Sequence, residues 1–204
     1  MQRLLVATGN RGKFSEIQSL LEGMKIALTT PDMVGVSLQI EENGNTYEEN
    51  ASLKASAYAL ASGLVTLADD SGLEVDALAG LPGIRSARFS PLPDATDADR
   101  RAHLLALLHD HPRPWTAHFH CTVALATPDA KIYYAQGNCP GEVIPVERGS
   151  NGFGYDPIFL VTETGLTMAE LSMDEKNQLS HRARAVRAAL PILLAVLRNQ
   201  STRF

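Results

Sequence analysis

The chain has 204 residues, of which 45% are hydrophobic and 20% charged, and its formal net charge is -5. This length and hydrophobic fraction allow a substantial core, in one domain or in two closely packed lobes. The negative net charge argues against a polynucleotide partner, because binding to a phosphate backbone favours a basic face. A small anionic ligand needs only a local cluster of cations.

Cys121 and Cys139 form neither a CxxC pair nor a zinc-binding spacing, which is typical of buried thiols in a reducing compartment. A strand pattern begins within a few residues of the N-terminus, without a charged and then apolar leader. No apolar run approaches the roughly 18 residues of a membrane span. We therefore expect a soluble, cytoplasmic protein without a membrane partner.

The first elements predict a strand, a glycine turn and a helix. Residues 3–8 are apolar, residues 9–12 contain two glycines, and apolar residues then recur at helical spacing until Gly23, the predicted cap. Such an arrangement, with Lys13 opening the helix, is typical of phosphate binding at a helix N-terminus. The spacing is too short for a P-loop and lacks its Ser/Thr. A plain turn with a solvated lysine is an equal alternative.

Residues 25–30 predict a second strand, and a helix is predicted from Thr46, which has the capping-box spacing to Glu49, as far as Gly63. Asn50 and Lys54 share one face of this helix. They could present an amide and a cation to phosphates, or simply face solvent. Before the helix, Glu41 and Glu42 indicate either a hydrated loop or part of a metal site.

Residues 64–72 (LVTLADDSG) predict a buried strand that carries Asp69 and Asp70 to its C-terminal end. Open α/β sheets keep their chemistry at such ends. Two adjacent acids cannot both be buried and ionised without a counter-charge, which a divalent metal would supply. Alternatively, either acid caps the turn that follows.

Further along, Leu73–Asp76 alternates like a strand, and residues 84–93 predict a loop. Thr96 and Asp99 have the capping-box spacing of a third helix. The predicted buried face of that helix comprises Leu104, Leu105, Leu107 and Leu108.

Residues 115–127 and 131–137 predict a hairpin. His118 and His120 alternate onto one strand face and could chelate a metal, but no third ligand of matching type is evident, so a polar strand face is favoured. In residues 149–157, glycines flank Phe153 and leave its ring open to stack against a base. The alternative is that Phe153 fills a gap in the core.

A short turn capped by Ser172 and Glu175 precedes the last helix, which starts at residues 180–182 and which Pro191 is expected to kink. We place Lys176, His181 and Arg182 at a helix N-terminus, an unfavourable end for cations. An acceptor-rich ligand at this position would explain the cluster.

Six motifs, taken in order, resemble the inosine triphosphate pyrophosphatase family. They are Thr8-Gly9-Asn10-x-Gly12-Lys13, Glu49-Asn50-Ala51-x-x-Lys54-Ala55, Ala68-Asp69-Asp70-Ser71-Gly72-Leu73, Pro82-Gly83-Ile84-x-Ser86-Ala87-Arg88, Gly152-Phe153-Gly154-Tyr155-Asp156-Pro157 and Ser180-His181-Arg182. The resemblance implies one α/β domain over residues 1–204, with a mixed, strongly twisted sheet, flanking helices and two lobes around a substrate cleft. It also implies a homodimer and dependence on Mg²⁺.

By this resemblance, the chain hydrolyses dITP, ITP and XTP to the nucleoside monophosphate and pyrophosphate, which cleanses the nucleotide pool. Glu41 and Asp70 would hold the metal, and Asp70 would act as the general base. Asp69 and Glu42 would support the metal site indirectly or serve as alternative ligands. The residues expected to bind phosphates are Thr8, Gly9, Asn10, Arg11, Gly12, Lys13, Lys54 and Ser71. Those expected around the purine and sugar are Phe153, Gly154, Tyr155, Asp156, Lys176, His181 and Arg182.

The last three of these residues are donors, which favour the oxygen at purine position 6 of inosine and xanthine over the amino group of adenine. A purine-nucleotide sensor without turnover is the alternative function. A sensor has no use for the acids Glu41, Asp69 and Asp70. A phosphotransferase is disfavoured because the chain lacks a Walker lysine-serine pair.

Overall fold

The computed structural model describes residues 2–201. Its strands are β1 (Gln2–Val6), β2 (Ile26–Thr29), β3 (Thr66–Val75), β4 (Trp115–Ala126), β5 (Ile132–Val143) and β6 (Phe159–Val161). Its helices are α1 (Arg11–Leu20), α2 (Tyr47–Ser62), α3 (Asp97–Leu108), α4 (Met173–Leu179) and α5 (His181–Ser201).

The six strands form one sheet in the order β2-β1-β3-β4-β5-β6. Strand β1 is parallel to β2 and to β3, whereas β6 is antiparallel to β5, so the sheet is mixed. In the register of β1 with β3, Leu5 pairs with Thr66 and Val6 with Leu67. The predicted α/β class with a mixed sheet and flanking helices is confirmed.

The chain divides into two compact units. Unit 1 comprises residues 2–70, 121–137 and 182–201 of the described chain, and unit 2 comprises residues 71–120 and 138–181. The expectation of one domain over residues 1–204 stays a prediction, and its terminal positions 1 and 202–204 lie outside the described residues.

Unit 1 contains two apolar clusters. The larger one joins β1, α1 and α5 through buried residues such as Leu4, Val6, Ile17, Val186 and Leu193. In the smaller one, Ala51, Ala55 and Ala59 of α2 pack against alanines of the strands. Alanines four apart leave only methyl groups on this face, so the helix backbone lies close to the sheet. Asn50 and Lys54, each one position earlier, thereby reach the acids of β3.

Unit 2 has its own core, in which α3 packs against aromatic residues of the strands, among them Trp115, Phe119 and Phe159. Leu104 and Leu108 are fully buried in this core, as predicted. Leu105 is half-buried and Leu107 is 41% exposed, so the prediction was wrong for Leu107. The buried face of α3 is narrower than the leucine pattern indicates, because residues four apart carry most of the contact.

Strand β3 differs most from its prediction. It does not end at the acids but continues to Val75, which places Asp69 and Asp70 in its middle. The two predicted strands on either side of the acids are therefore one. Successive residues of a strand point to opposite faces, and the two carboxylates accordingly have different partners.

Other boundaries shift by a few residues. The predicted glycine turn at 9–12 is partly helical because α1 begins at Arg11, and its C-cap is Leu21 rather than Gly23. A 3-10 helix spans Gly83–Arg88 where a loop was predicted. Strand β5 extends beyond residue 137 to Val143, and α5 continues past Pro191. The kink at Pro191 stays a prediction.

Cys121 and Cys139 are both buried thiols, as predicted. Within residues 2–201, no helix combines the length and apolar character that a membrane crossing needs.

A pair of leucine substitutions tests the narrow face of α3. Leu104→Ala should lower the free energy of unfolding by about 2–5 kcal/mol, because it leaves a cavity in the core of unit 2. Leu107→Ala makes the same change on the same helix at an exposed position and should cost less than about 0.5 kcal/mol. Urea denaturation measures both, and similar losses for the two variants would contradict the assignment.

Candidate active site

The segment predicted to bind phosphates lies at the N-terminus of α1. Asn10 is the N-cap, since its side-chain oxygen accepts a hydrogen bond from the N–H of Lys13 at 3.1 Å. The N–H of Asn10 donates to Thr8 Oγ1 at 3.1 Å. Gly9 and Arg11 are exposed. The first N–H groups of a helix have no acceptor within the helix, so this open end is suited to an anion.

Asp69 is surrounded by cations in unit 1. Lys13 Nζ lies 3.0 Å from Asp69 Oδ2, and Arg182 Nε donates to the same oxygen at 3.1 Å. Arg182 also donates from Nη1 to Glu16, a buried acid of α1. Asp69 and Arg182 are each only 1% exposed. The buried charges therefore form a chain from α1 through α5 to β3.

These ion pairs decide the charge states. Burial opposes ionisation of Asp69, but Lys13, Arg182 and Lys54 outweigh it and hold the pKa of this carboxyl well below its usual range. Burial likewise opposes the charge of Arg182, but Asp69 and Glu16 outweigh it and raise the pKa of the guanidinium. Burial, together with nearby Asp69, raises the pKa of the Cys121 thiol to about 12. Asp69 and Arg182 are thus ionised, and Cys121 is a neutral thiol.

Asp70 has a different environment. It is 6% exposed, and its Oδ2 accepts a hydrogen bond from Asn50 Nδ2 at 3.0 Å. Burial raises the pKa of Asp70, and nearby Lys54 and the Asn50 hydrogen bond only partly offset this effect. Asn50 is itself fixed, because its Oδ1 accepts from the N–H of Gly44 at 2.9 Å. Asp70 is therefore an oriented carboxylate with raised basicity.

Lys54 links the loop before α2 to β3. Its Nζ donates to the backbone oxygen of Asp69 at 2.7 Å and lies 3.3 Å from Glu42 Oε2. The negative charge of Glu42 also raises the pKa of Asp70 slightly. The neighbouring Glu41 is exposed to solvent. Within residues 2–201, no group of three or more His, Cys, Asp or Glu side chains is arranged to hold a metal ion.

The donor set nevertheless suits Mg²⁺. Asp69 Oδ1 is buried and has no hydrogen-bond partner in the described part of the chain, so it leaves one carboxylate oxygen uncommitted. Mg²⁺ binds carboxylate oxygens and in nucleotide sites takes only one or two of them, with phosphates and water as the other ligands. The acids of β3 and the preceding loop therefore fit this ion without a third protein carboxylate.

His118 and His120 lie in unit 2, where other side chains engage them. His118 Nε2 is 3.3 Å from Glu74 Oε2, and His120 Nδ1 is 2.7 Å from Asn138 Oδ1. These contacts agree with the favoured interpretation of a polar strand face.

The aromatic loop of unit 2, residues 149–157, is held around Asp156. Asp156 Oδ2 accepts from the N–H of Phe153 at 3.1 Å and from Lys176 Nζ at 2.9 Å. Lys176 Nζ also lies 5.8 Å from the centre of the half-buried Phe153 ring. Gly152 has φ +80°, and a Cβ there would lie 2.0 Å from Asp156 Oδ2, so only glycine fits.

The other residues predicted around the purine are more deeply placed. Tyr155 is buried, its hydroxyl donates to the backbone oxygen of Ser86 at 2.9 Å, and burial raises its pKa. The His181 ring is buried and stacks on Phe119, with ring centroids 4.7 Å apart. Ser71, which was predicted to bind phosphates, is half-buried in β3. The structure thus assigns Phe153, Gly154, Tyr155, Asp156, Lys176, His181 and Ser71 to unit 2.

Residues 4–192 match the model of the Ham1 family. The chain belongs to the Ham1 family. This membership confirms the resemblance on which the sequence predictions depend.

Curated relatives of this Ham1-family chain carry the name dITP/XTP pyrophosphatase. The protein of Geobacter sulfurreducens is 48% identical over 187 residues, which cover 91% of this chain and 94% of the relative. That of Desulforamulus reducens is 44% identical over 192 residues, or 94% of this chain and 95% of the relative.

Solved structures agree with the fold. A HAM1 protein from Coxiella burnetii superposes with a TM-score of 0.86 at 38% identity and covers 96% of this chain and 100% of that protein. A nucleoside-triphosphatase / dITP/XTP pyrophosphatase from Mycobacterium abscessus gives a TM-score of 0.73 at 40% identity, covering 93% and 99% of the two chains.

The geometry gives two of the predicted cations of this Ham1-family chain acceptors within the protein. Lys176 lies in the last turn of α4, not at a helix N-terminus, and its acceptor is Asp156. Arg182 does lie in the first turn of α5, but its guanidinium is committed to Asp69 and Glu16. The sequence suggested an acceptor-rich ligand beside these cations. In the structure, carboxylates of the protein itself accept hydrogen bonds from both of them.

Sequence reasoning missed Glu16 and misjudged Asn50. Glu16 follows Lys13 by three residues, on the same face of α1, which is the one local signal that relates them. Asn50 was expected to face phosphates or solvent, but it holds Asp70. Neither contact is local in sequence, so periodicity does not reveal it.

Removal of the buried guanidinium should destabilise this Ham1-family chain. Arg182→Met leaves Asp69 and Glu16 without their shared cation and should lower the free energy of unfolding by about 3–5 kcal/mol. Arg187→Met, at an exposed position of the same helix, should change it by less than about 0.5 kcal/mol. Urea denaturation of both variants is the measurement. A loss at Arg182 no larger than at Arg187 would show that the buried pairs do not act as described.

Proposed function

We propose that this chain hydrolyses non-standard purine nucleoside triphosphates, namely dITP, ITP and XTP, to the nucleoside monophosphate and pyrophosphate. The observation that carries the proposal is Asp70, a buried carboxylate that accepts a hydrogen bond from the Asn50 amide and has a raised pKa. It lies beside Asp69, an ionised acid in a cluster of cations. The name that relatives at 44–48% identity carry supports the same activity.

In the proposed reaction, a water oxygen bonds to the α-phosphorus and the bond to the leaving pyrophosphate oxygen breaks. Asp70 accepts the proton that the attacking water loses. Burial favours this role because it raises the pKa of the carboxyl and so strengthens the base. Asn50 limits the rotation of the carboxylate by its hydrogen bond at 3.0 Å.

The triphosphate would bind along Thr8 to Lys13 at the N-terminus of α1, where the positive end of the helix dipole favours an anion. Lys54 supplies a further cation close to both acids. Arg182 is assigned a positioning role, since it holds Asp69 and is buried away from solvent.

Mg²⁺ would be held by Asp70 and Glu41. Glu42 and Asp69 Oδ1 are alternative oxygen donors, of which Asp69 points to the opposite face of β3 from Asp70. When bound, the ion neutralises charge on the leaving pyrophosphate. The free oxygen of Asp69 and the proximity of Glu42 to Asp70 support this donor set. Glu41 is exposed, so its carboxylate is the donor that a bound nucleotide would have to recruit.

The purine is assigned to unit 2, where the half-buried Phe153 ring is flanked by two glycines in left-handed conformation. Lys176 lies beside that ring and is the donor we assign to the oxygen at position 6. An adenine amino group at that position would not accept the N–H of Lys176 that is directed at the base, which costs binding free energy.

We further propose a homodimer in the cytoplasm. The two buried cysteine thiols support a reducing compartment. The homodimer rests on the family resemblance.

Incubation with dITP, XTP, dGTP and ATP in the presence of Mg²⁺, with product identification, tests the reaction. Wild-type protein should release pyrophosphate from dITP and XTP in preference to ATP. Asp70→Asn should lower kcat by at least about 100-fold, because the amide cannot accept the proton. Asp110→Asn, at an exposed position, is the matched control and should leave kcat unchanged.

Each result of this assay has a distinct meaning. Orthophosphate as product would indicate a different bond, and absence of turnover with retained binding would favour a purine-nucleotide sensor. Full activity of Asp70→Asn would refute the assigned base.

The stacking role of Phe153 has its own test. Phe153→Ala should raise the KM for dITP, because the purine loses an aromatic face to stack on. The factor should correspond to a loss of about 1–3 kcal/mol in binding free energy. Inhibition by inorganic tripolyphosphate should not change, since that probe has no base. Phe89→Ala, another half-buried phenylalanine of unit 2, should leave the KM unchanged. An unaltered KM in Phe153→Ala would favour the core-filling alternative.

A further inference from the structure

Gly154, between Phe153 and Tyr155, is held on both sides of its backbone by side chains of α3. Its N–H donates to Asp97 Oδ2 at 2.8 Å, and its carbonyl oxygen accepts from Arg101 Nη1 at 2.8 Å. Gly154 has φ +61°, in the left-handed region. Both contacts therefore fix a residue whose conformation is otherwise among the most adaptable in the loop.

The two side chains belong to one face of α3, because they are four residues apart. Arg101 is locked further by Glu147, with Nε to Oε1 at 2.8 Å and Nη2 to Oε2 at 3.0 Å, a bidentate pair. Glu147 lies just before the aromatic loop. We call Asp97, Arg101 and Glu147 the Gly154 clamp.

Asp97, the clamp residue that accepts the hydrogen bond from the N–H of Gly154, is ionised. Burial opposes ionisation of Asp97, but hydrogen bonds from Arg100 and from the N–H of Gly154 outweigh it and lower the pKa of the carboxyl. An ionised acceptor forms the stronger bond to an N–H group. A capping box between Thr96 and Asp99 stabilises the N-terminus of α3, where Asp97 is the first helical residue.

We propose that Asp97 and Arg101 are positioning residues that hold Phe153 in orientation for the purine, so that α3 sets affinity for the base and not for the phosphates. This inference rests on the proposed function. Neighbouring ties act on the same loop, since Phe153 N–H bonds Asp156 and the Tyr155 hydroxyl bonds Ser86. Three consecutive loop residues are thus held before a ligand arrives, which lowers the ordering cost of binding.

Steady-state kinetics separate the base from the phosphates. Asp97→Ala should raise the KM for dITP about tenfold, the usual effect of losing one charge-assisted hydrogen bond, with kcat within about threefold of wild type. The inhibition constant of inorganic tripolyphosphate should stay within about twofold. Asp97→Asn keeps an acceptor oxygen, so its KM for dITP should be close to the wild-type value.

Two further variants control for stability. Asp99→Ala removes one half of the capping box but keeps the hydrogen bond from the N–H of residue 99 to Thr96 Oγ1, so the helix start is retained. It should lower the stability of α3 and leave the KM for dITP unchanged. Arg101→Met removes the other half of the clamp and should raise the KM as Asp97→Ala does, which keeps the test valid if that variant folds poorly. Amide exchange at Gly154, measured by NMR, should accelerate in Asp97→Ala and not in Asp99→Ala.

The outcomes distinguish this inference from the function on which it rests. If wild-type protein does not hydrolyse dITP, the proposed function fails and the inference with it. If wild type is active but Asp97→Ala and Asp99→Ala have the same KM, the clamp does not position the base and the inference alone is overturned. Equal weakening of dITP and tripolyphosphate would likewise overturn it.

Discussion

A buried carboxylate that must stay ionised imposes the main constraint on unit 1. Asp69 is almost fully enclosed, and an enclosed negative charge is stable only beside cations with good geometry. Lys13 and Arg182 meet that requirement from α1 and α5, and Lys54 binds the backbone oxygen of the same residue from α2. Three helices are therefore tied to the middle of one strand.

This constraint separates the two neighbouring acids. Asp69 uses its charge to hold the helices, whereas burial dominates the environment of Asp70, whose Oδ2 accepts a hydrogen bond from Asn50 at 3.0 Å. The opposite directions of their pKa shifts follow from this difference. One acid is suited to structure and ion binding, and its neighbour is suited to accepting a proton.

In unit 2, the main constraint acts on the short loop that carries the Phe153 ring. Glycines at 152 and 154 allow the tight path, but they also leave the loop adaptable. Asp156 and the Gly154 clamp counter that freedom through backbone hydrogen bonds. The loop thus combines a backbone that only glycine permits with side chains that keep it in one conformation.

The sequence alone determined the α/β class, the three helix caps at Thr46, Thr96 and Ser172, and the motifs that indicate the family, because caps, periodicity and motifs are local. Only the tertiary structure decided that β3 runs through its acids and that Arg182 serves Asp69 and Glu16. It likewise decided that Asp97 and Arg101 hold Gly154. These contacts join residues more than 50 positions apart, and the burial that gives each charge its partner exists only once the chain has folded.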